Sequence, residues 1–157
     1  MTTPTMQDSQ TDLVRSRLLT MRRIHLALVG GVAMFGFVVF IVTRGKMSFS
    51  PALNLPIVIV SIVAAATAVL SATLLHKVYF RASPAPADAQ GAVQRYQTFF
   101  LMRAAMIEGG ALFSAVATLI SSNIVPAGMF VLCAVALAVN RPTEREFIST
   151  TGTTQRE

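Results

Sequence analysis

The amino-acid sequence predicts an all-α integral membrane protein: four transmembrane helices in an up-down bundle, with both termini cytoplasmic. Three observations lead there. The 157 residues are 54% hydrophobic and only 13% charged, against about 25% charged in an ordinary soluble domain. Mean hydropathy is +0.62, and the apolar residues cluster in long runs. Those runs are too long for the tilted strands of a barrel, and lipid offers backbone amides no water, so they must close their hydrogen bonds as helices.

The first span is residues 24–43, which hold one histidine and no formal charge. Twenty residues at 1.5 Å each cross a hydrocarbon core of about 30 Å. The second span, 57–80, is apolar or hydroxyl-bearing up to Leu75 and closes with His76, Lys77 and Tyr79 at an interface. Span three, 98–121, is interrupted by Arg103 and Glu108. Span four, 124–139, is the shortest, and its flanking Asn123 and Asn140 extend it into the range of about 17 to 25 residues that crosses a bilayer. The intervening connections are short, as bundles require. Residues 24–140 thus form the transmembrane domain.

Basic residues set the orientation. Arg15, Arg17, Arg22 and Arg23 precede span one, Lys77, Arg81 and Arg95 lie between spans two and three, and Arg141, Arg145 and Arg156 follow span four. Ten cations therefore share one side, while Arg44 and Lys46 lie on the other. The location expected is the inner (cytoplasmic) membrane of a bacterium, multi-pass. A secretory signal is the rival for span one, since Arg22-Arg23 precedes an apolar run. That run exceeds the roughly 7 to 15 residues of a signal core and ends at Thr43-Arg44 rather than at a small-residue cleavage site. The N-terminal segment, 1–23, is expected to be partly disordered, with an interfacial helix from Thr11 on which Leu13, Val14, Leu18 and Met21 fall near helical spacing. The tail, 141–157, is expected to hold a short helix, with Thr143 and Glu146 at capping-box spacing.

Net charge is +6, yet the cations are scattered between apolar runs without interleaved aromatics, so a nucleic-acid groove is not expected. The single cysteine, Cys133, excludes an intramolecular disulfide and any CxxC motif. It falls in an apolar run and is expected to be buried and inert. No phosphate loop, nucleophile triad or metal cluster is present in the sequence, and an enzyme is not expected.

Glu108 is the principal candidate site residue. The middle of span three lies near Gly109, so this carboxyl falls at the bilayer centre, where an ionised group is costly and must be protonated, paired or wet. It either binds a proton or cation, or stays neutral and hydrogen-bonds a neighbouring helix. Thr67 and Ser71 of span two lie at matching depth and are the expected partners, with Ala64, Ala68 and Ala72 as a small-residue seam and Gly109-Gly110 thinning span three. Arg103 stands five positions earlier, about 140° around the helix, so an intrahelical pair is unfavourable. It is expected to snorkel to headgroups, or to meet an anionic lipid or a partner carboxylate. Gly30, Gly31 and Gly36 suggest close packing of span one, and Phe35, Phe37 and Phe40 are expected to face lipid or fill the bundle. His25 opens span one and His76 closes span two; facing each other across a hairpin they could ligate haem b or tune a quinone pocket. No cofactor is favoured.

The run Arg103-Ala-Ala-Met-Ile-Glu108-Gly109-Gly-Ala-Leu-Phe113, with Arg141-Pro142-Thr143 after span four, resembles small four-span bacterial integral membrane proteins. The likeness covers the second hairpin and implies a fold without a particular activity. The chain's size is also similar to that of vacuolar-type ATPase rotor proteolipids, but those carry their ion-binding Glu in the last helix, and here span four has no carboxylate. The function expected is a non-enzymatic subunit or accessory of a larger membrane complex, or else a homo-oligomer. A proton- or ion-coupled transport element using Glu108 is one alternative, and a redox subunit using His25 and His76 is another.

Overall fold

The computed structural model describes residues 6–48, 54–82 and 89–143, with side chains described for 15–48, 54–75, 78–79 and 90–143. The expected tail helix and the Pro- and Ala-rich connection lie outside the described residues. Four helices make up the chain's regular structure there: α1 (Met6–Thr43), α2 (Leu55–Ala82), α3 (Ala89–Ser121) and α4 (Ile124–Val139). Three of them are long and apolar enough to cross a membrane, over Arg15–Thr43, Leu55–Leu75 and Gln90–Ser121. At 1.5 Å per residue, the 38 residues of α1 and the 33 of α3 extend about 57 and 50 Å, well past a hydrocarbon core of about 30 Å. The 16 residues of α4 reach about 24 Å.

The reach of α1 and α3 follows from their pairing. Leu18 and Met21 of α1 pack with Val93 and Tyr96 of α3 in a buried cluster outside the continuous apolar runs. Two helix faces that would otherwise be wet thus cover one another. The interfacial segment expected from Thr11 is part of one continuous helix that begins at Met6.

The order of packing differs from that of a simple up-down bundle. α3 is the central helix and packs against α1, α2 and α4, while α1 lies mainly on α3 and more lightly on α4. Half of the apolar window of α3 is buried, compared with 17% of that in α1 and 22% of that in α2. Outward faces of α1 and α2 carry large apolar groups, including Leu26, Met34, Phe37, Phe40 and Leu70, which are more than half exposed. An apolar exterior on this scale is what a lipid solvent requires. Phe35 is half-buried by contrast.

The core joins Val32, Ala65, Ala72, Ala104, Ile107, Ala111, Cys133 and Leu137. Its alanines let helix backbones approach closely, the packing mode that replaces hydrophobic driving force in lipid. Cys133 is fully buried and free, as expected. The seam on α2 runs through Ser61, Ala65, Ala68 and Ala72, with Ala65 fully buried and Ala64 only half-buried. Strict four-residue spacing drifts about 40° per step, whereas alternating steps of four and three hold one face. The expected Ala64 position is therefore replaced by Ala65. Among the glycines, Gly36 lies against Phe130 and Gly110 against Ala68, but Gly30, Gly31 and Gly109 have nothing near their missing Cβ.

Caps and turns close the end of the bundle opposite the chain's N-terminus. Gly45, at φ +80°, sits two residues after Thr43 in a turn closed by Lys46 N–H donating to Thr43 O at 3.0 Å. Positive φ at that third turn position favours glycine. α4 starts at Asn123, whose side chain accepts from Val125 N–H at 2.9 Å. Pro126 follows in the first turn, where its missing N–H costs no helical bond. At the other end of α4, the Asn140 backbone N–H and side-chain amide both donate to Ala136 O. Pro142 then blocks continuation.

Candidate functional site

The ionisable and polar groups of α3 fall on distinct sides of that helix, and their neighbours differ accordingly. Gly110 marks the side facing α2, since a Cβ there would stand 2.7 Å from Ala68 Cβ and 3.7 Å from Ala65 Cα. Glu108 is two residues earlier, about 160° away around the helix. It is half-buried, and it makes no hydrogen bond or ion pair among the described residues.

Thr67 and Ser71 therefore do not serve as its partners. Thr67 is exposed on α2, two residues and hence about 160° from the buried Ala65, so it points away from α3 altogether. Ser71 is half-buried. Matching depth placed these residues at the right level, but depth says nothing of direction around each helix. Arg103 is seven residues before Gly110, on the α2-facing side, and is half-buried. No ion pair joins it to Glu108 among the described residues, in keeping with their separation of about 140°.

A second polar group on α3 consists of the buried hydroxyls Ser114, Thr118 and Ser121. Each donates to the carbonyl four residues back: Ser114 to Gly110 O at 2.9 Å, Thr118 to Ser114 O at 2.8 Å and Ser121 to Ala117 O at 2.7 Å. Thr43 of α1 likewise donates to Val39 O, four residues back, and Ser61 of α2 to Val58 O, three residues back. Such local bonds satisfy a buried hydroxyl without tying helices together. The ladder lies about 80 to 140° around α3 from Glu108, so its hydroxyls do not line a route to that carboxyl.

At the end of the bundle opposite the chain's N-terminus, polar groups do join elements. Ser48 N–H donates to Ser122 O at 3.0 Å, Ile124 N–H to Ser48 O at 3.4 Å, and the Asn54 side-chain amide to Ser121 O at 3.5 Å. These bonds dock the connection after α1 on the α3–α4 turn. Across the bundle's other half, the Arg95 guanidinium stands 5.8 Å from the centre of the Tyr79 ring and donates to Tyr79 O at 3.5 Å, near the C-terminus of α2. A cation there complements the carbonyl end of the helix.

His25 is 5% exposed and faces α3, its ring edge-on to Phe100 with centroids 5.8 Å apart. Its Nδ1 is buried without a hydrogen-bond partner among the described residues. The side chain of His76 lies outside the described residues, so of the expected haem pair only the His25 half is placed. Among the described residues, no group of three or more His, Cys, Asp or Glu side chains is arranged to hold a metal.

α3 also carries a glutamine flank. Gln90, Gln94, Gln97, Leu101, Ala104 and Glu108 follow at intervals of three or four, so they share one side of the helix. Gln90 and Gln94 are exposed, and Gln97 is half-buried. With Val93 and with Arg17 of α1, the three glutamines line a cavity of about 310 Å³. The interval pattern was the available signal. No protein-family model matches the chain, and neither a curated protein nor a solved structure is significantly similar to it.

Proposed function

We propose that this chain is a non-enzymatic integral membrane protein of the cytoplasmic membrane, a subunit or accessory of a larger membrane complex, in which Glu108 contacts a polar group of a partner chain. One observation carries this reading: Glu108 is half-buried midway along the central helix, faces away from α2, and has no partner among the described residues. In hydrocarbon a carboxyl is costly unless it is neutral or paired, and intramembrane ionisable groups mark functional contacts by default. A hydroxyl, amide or cation at mid-depth on a neighbouring chain would satisfy it.

In this reading α4 is the fourth span. Its roughly 24 Å are brought closer to the hydrocarbon thickness by the Asn caps and by modest local thinning of the bilayer. The excess of basic residues beside the N-terminal ends of α1 and α3 and after α4 favours cytoplasmic termini.

The test is native gel electrophoresis of mildly solubilised host membranes carrying the wild type, Glu108→Gln or Glu108→Leu. The wild type and the Gln variant, which keeps hydrogen bonding, should migrate in an assembly larger than the lone chain, and the Leu variant should be released from it. Migration of all three as the lone chain overturns the proposal. Retained assembly together with loss of a proton-dependent activity in Glu108→Gln would favour the transport reading instead.

A further inference from the structure

We infer that the cavity between the N-terminal halves of α1 and α3 is a binding site for the phosphate-bearing headgroup of an anionic membrane lipid. It holds about 310 Å³ and is lined by Arg17, Gln90, Val93, Gln94 and Gln97. That volume is at the small end of the roughly 300 to 1,000 Å³ of small-molecule sites. The lining suits a phosphodiester: Arg17 supplies a fixed cation with forked donors, and three carboxamides supply neutral ones. Among the described residues no acidic side chain lines it.

Depth identifies the occupant as lipid. The continuous apolar runs begin at Ile24 in α1 and Thr98 in α3, and these levels coincide because Met21 clusters with Tyr96 while His25 meets Phe100. Gln97 therefore lies at the hydrocarbon edge. Arg17 and Gln94 lie about 5 to 10 Å beyond it, at 1.5 Å per residue, which is the depth of the headgroup layer. Exposed Arg15, Arg22 and Arg23 on the neighbouring turns raise the local concentration of anionic lipid. Val93, which lines the cavity, is part of the buried α1–α3 cluster, so a headgroup seated here would bridge the two helices where they leave the hydrocarbon.

The test uses the full chain in detergent, titrated with phosphatidylglycerol and phosphatidylcholine and read by native mass spectrometry. Arg17→Gln and Gln94→Ala are compared with Arg15→Gln, which removes the same charge about 160° around α1. One phosphatidylglycerol should be retained in preference to phosphatidylcholine, with affinity falling roughly tenfold in Arg17→Gln. A diffuse basic belt would cost no more than about fivefold per cation, as expected for Arg15→Gln. Equal losses in Arg15→Gln and Arg17→Gln overturn the site. Displacement by glycerol 3-phosphate or inorganic phosphate at the concentration at which the lipid binds overturns lipid as its occupant.

Discussion

Gly110 of α3 lies so close to Ala68 of α2 that a Cβ on the glycine would stand 2.7 Å from the alanine's own Cβ. Neither of these is the tip of a flexible side chain, so a larger residue forces the helices apart. Its neighbour Gly109 has nothing within 4 Å of the same virtual atom. The two glycines therefore form a matched pair in which helix propensity is equal and only packing differs. Gly110→Val should destabilise the bundle by about 1 to 3 kcal/mol relative to Gly109→Val, the usual range for overpacking. Unfolding in mixed micelles measures the difference, and equal stabilities would refute the close crossing.

Gly36 of α1 and Phe130 of α4 make the second close approach, but here the obstacle is the outer edge of a ring. The nearest atom is Cζ, which a ring flip does not move, so the whole Phe130 side chain must swing about its Cα–Cβ bond to make room. Gly36→Ala should cost about 1 to 3 kcal/mol alone and substantially less in a Phe130→Leu background. A double-mutant cycle should give a coupling of about 0.5 to 3 kcal/mol. Strictly additive effects would show that the α1–α4 contact does not form.

In the α3–α4 turn, Ser122 has φ 47°, in the left-handed region, immediately after α3. Its N–H donates to Thr118 O at 2.8 Å, so the conformation is held by a capping bond. A serine pays a steric penalty there that glycine avoids, so Ser122→Gly should stabilise the turn by up to about 1 kcal/mol. Asn123→Ala removes the N-cap of α4 and should cost about 1 kcal/mol. Opposite shifts in unfolding midpoint are the expected signature, and a loss in both variants would contradict the Ser122 assignment.

The helices were legible because lipid imposes one solution on a long apolar run, and the buried Cys133 followed from its place in such a run. Partners around each helix were not legible. Thr67 and Glu108 share a depth, but a sequence read along its axis does not reveal which α3 residue faces α2, and Gly110 rather than Glu108 does so. The same gap explains the seam, where Ala65 rather than Ala64 is buried. The α1–α3 pairing was also beyond reach, since it depends on which helix occupies the centre. His25 consequently meets Phe100 of α3, a contact that the hairpin picture did not anticipate.

The α1–α3 pairing leads to a prediction that separates aqueous from membrane energetics. Leu18, Met21, Val93 and Tyr96 are each at most 4% exposed, yet they lie beyond the apolar runs among exposed arginines and glutamines. Association there gains from removing apolar surface from water, whereas inside the bilayer the tails are as apolar as the side chains and only packing remains. Met21→Ala should therefore lose about 2 to 5 kcal/mol of local stability, as in a soluble core. Ile107, equally buried at 1%, lies within the apolar window of α3 and should lose less when replaced by Ala. Hydrogen exchange in lipid nanodiscs provides the measurement. Met21→Ala should accelerate exchange over residues 15–23 and 90–96 while leaving 100–120 protected, and Ile107→Ala should leave 15–23 unchanged. Unchanged exchange at 15–23 in Met21→Ala would mean that this part of α1 is not held by α3.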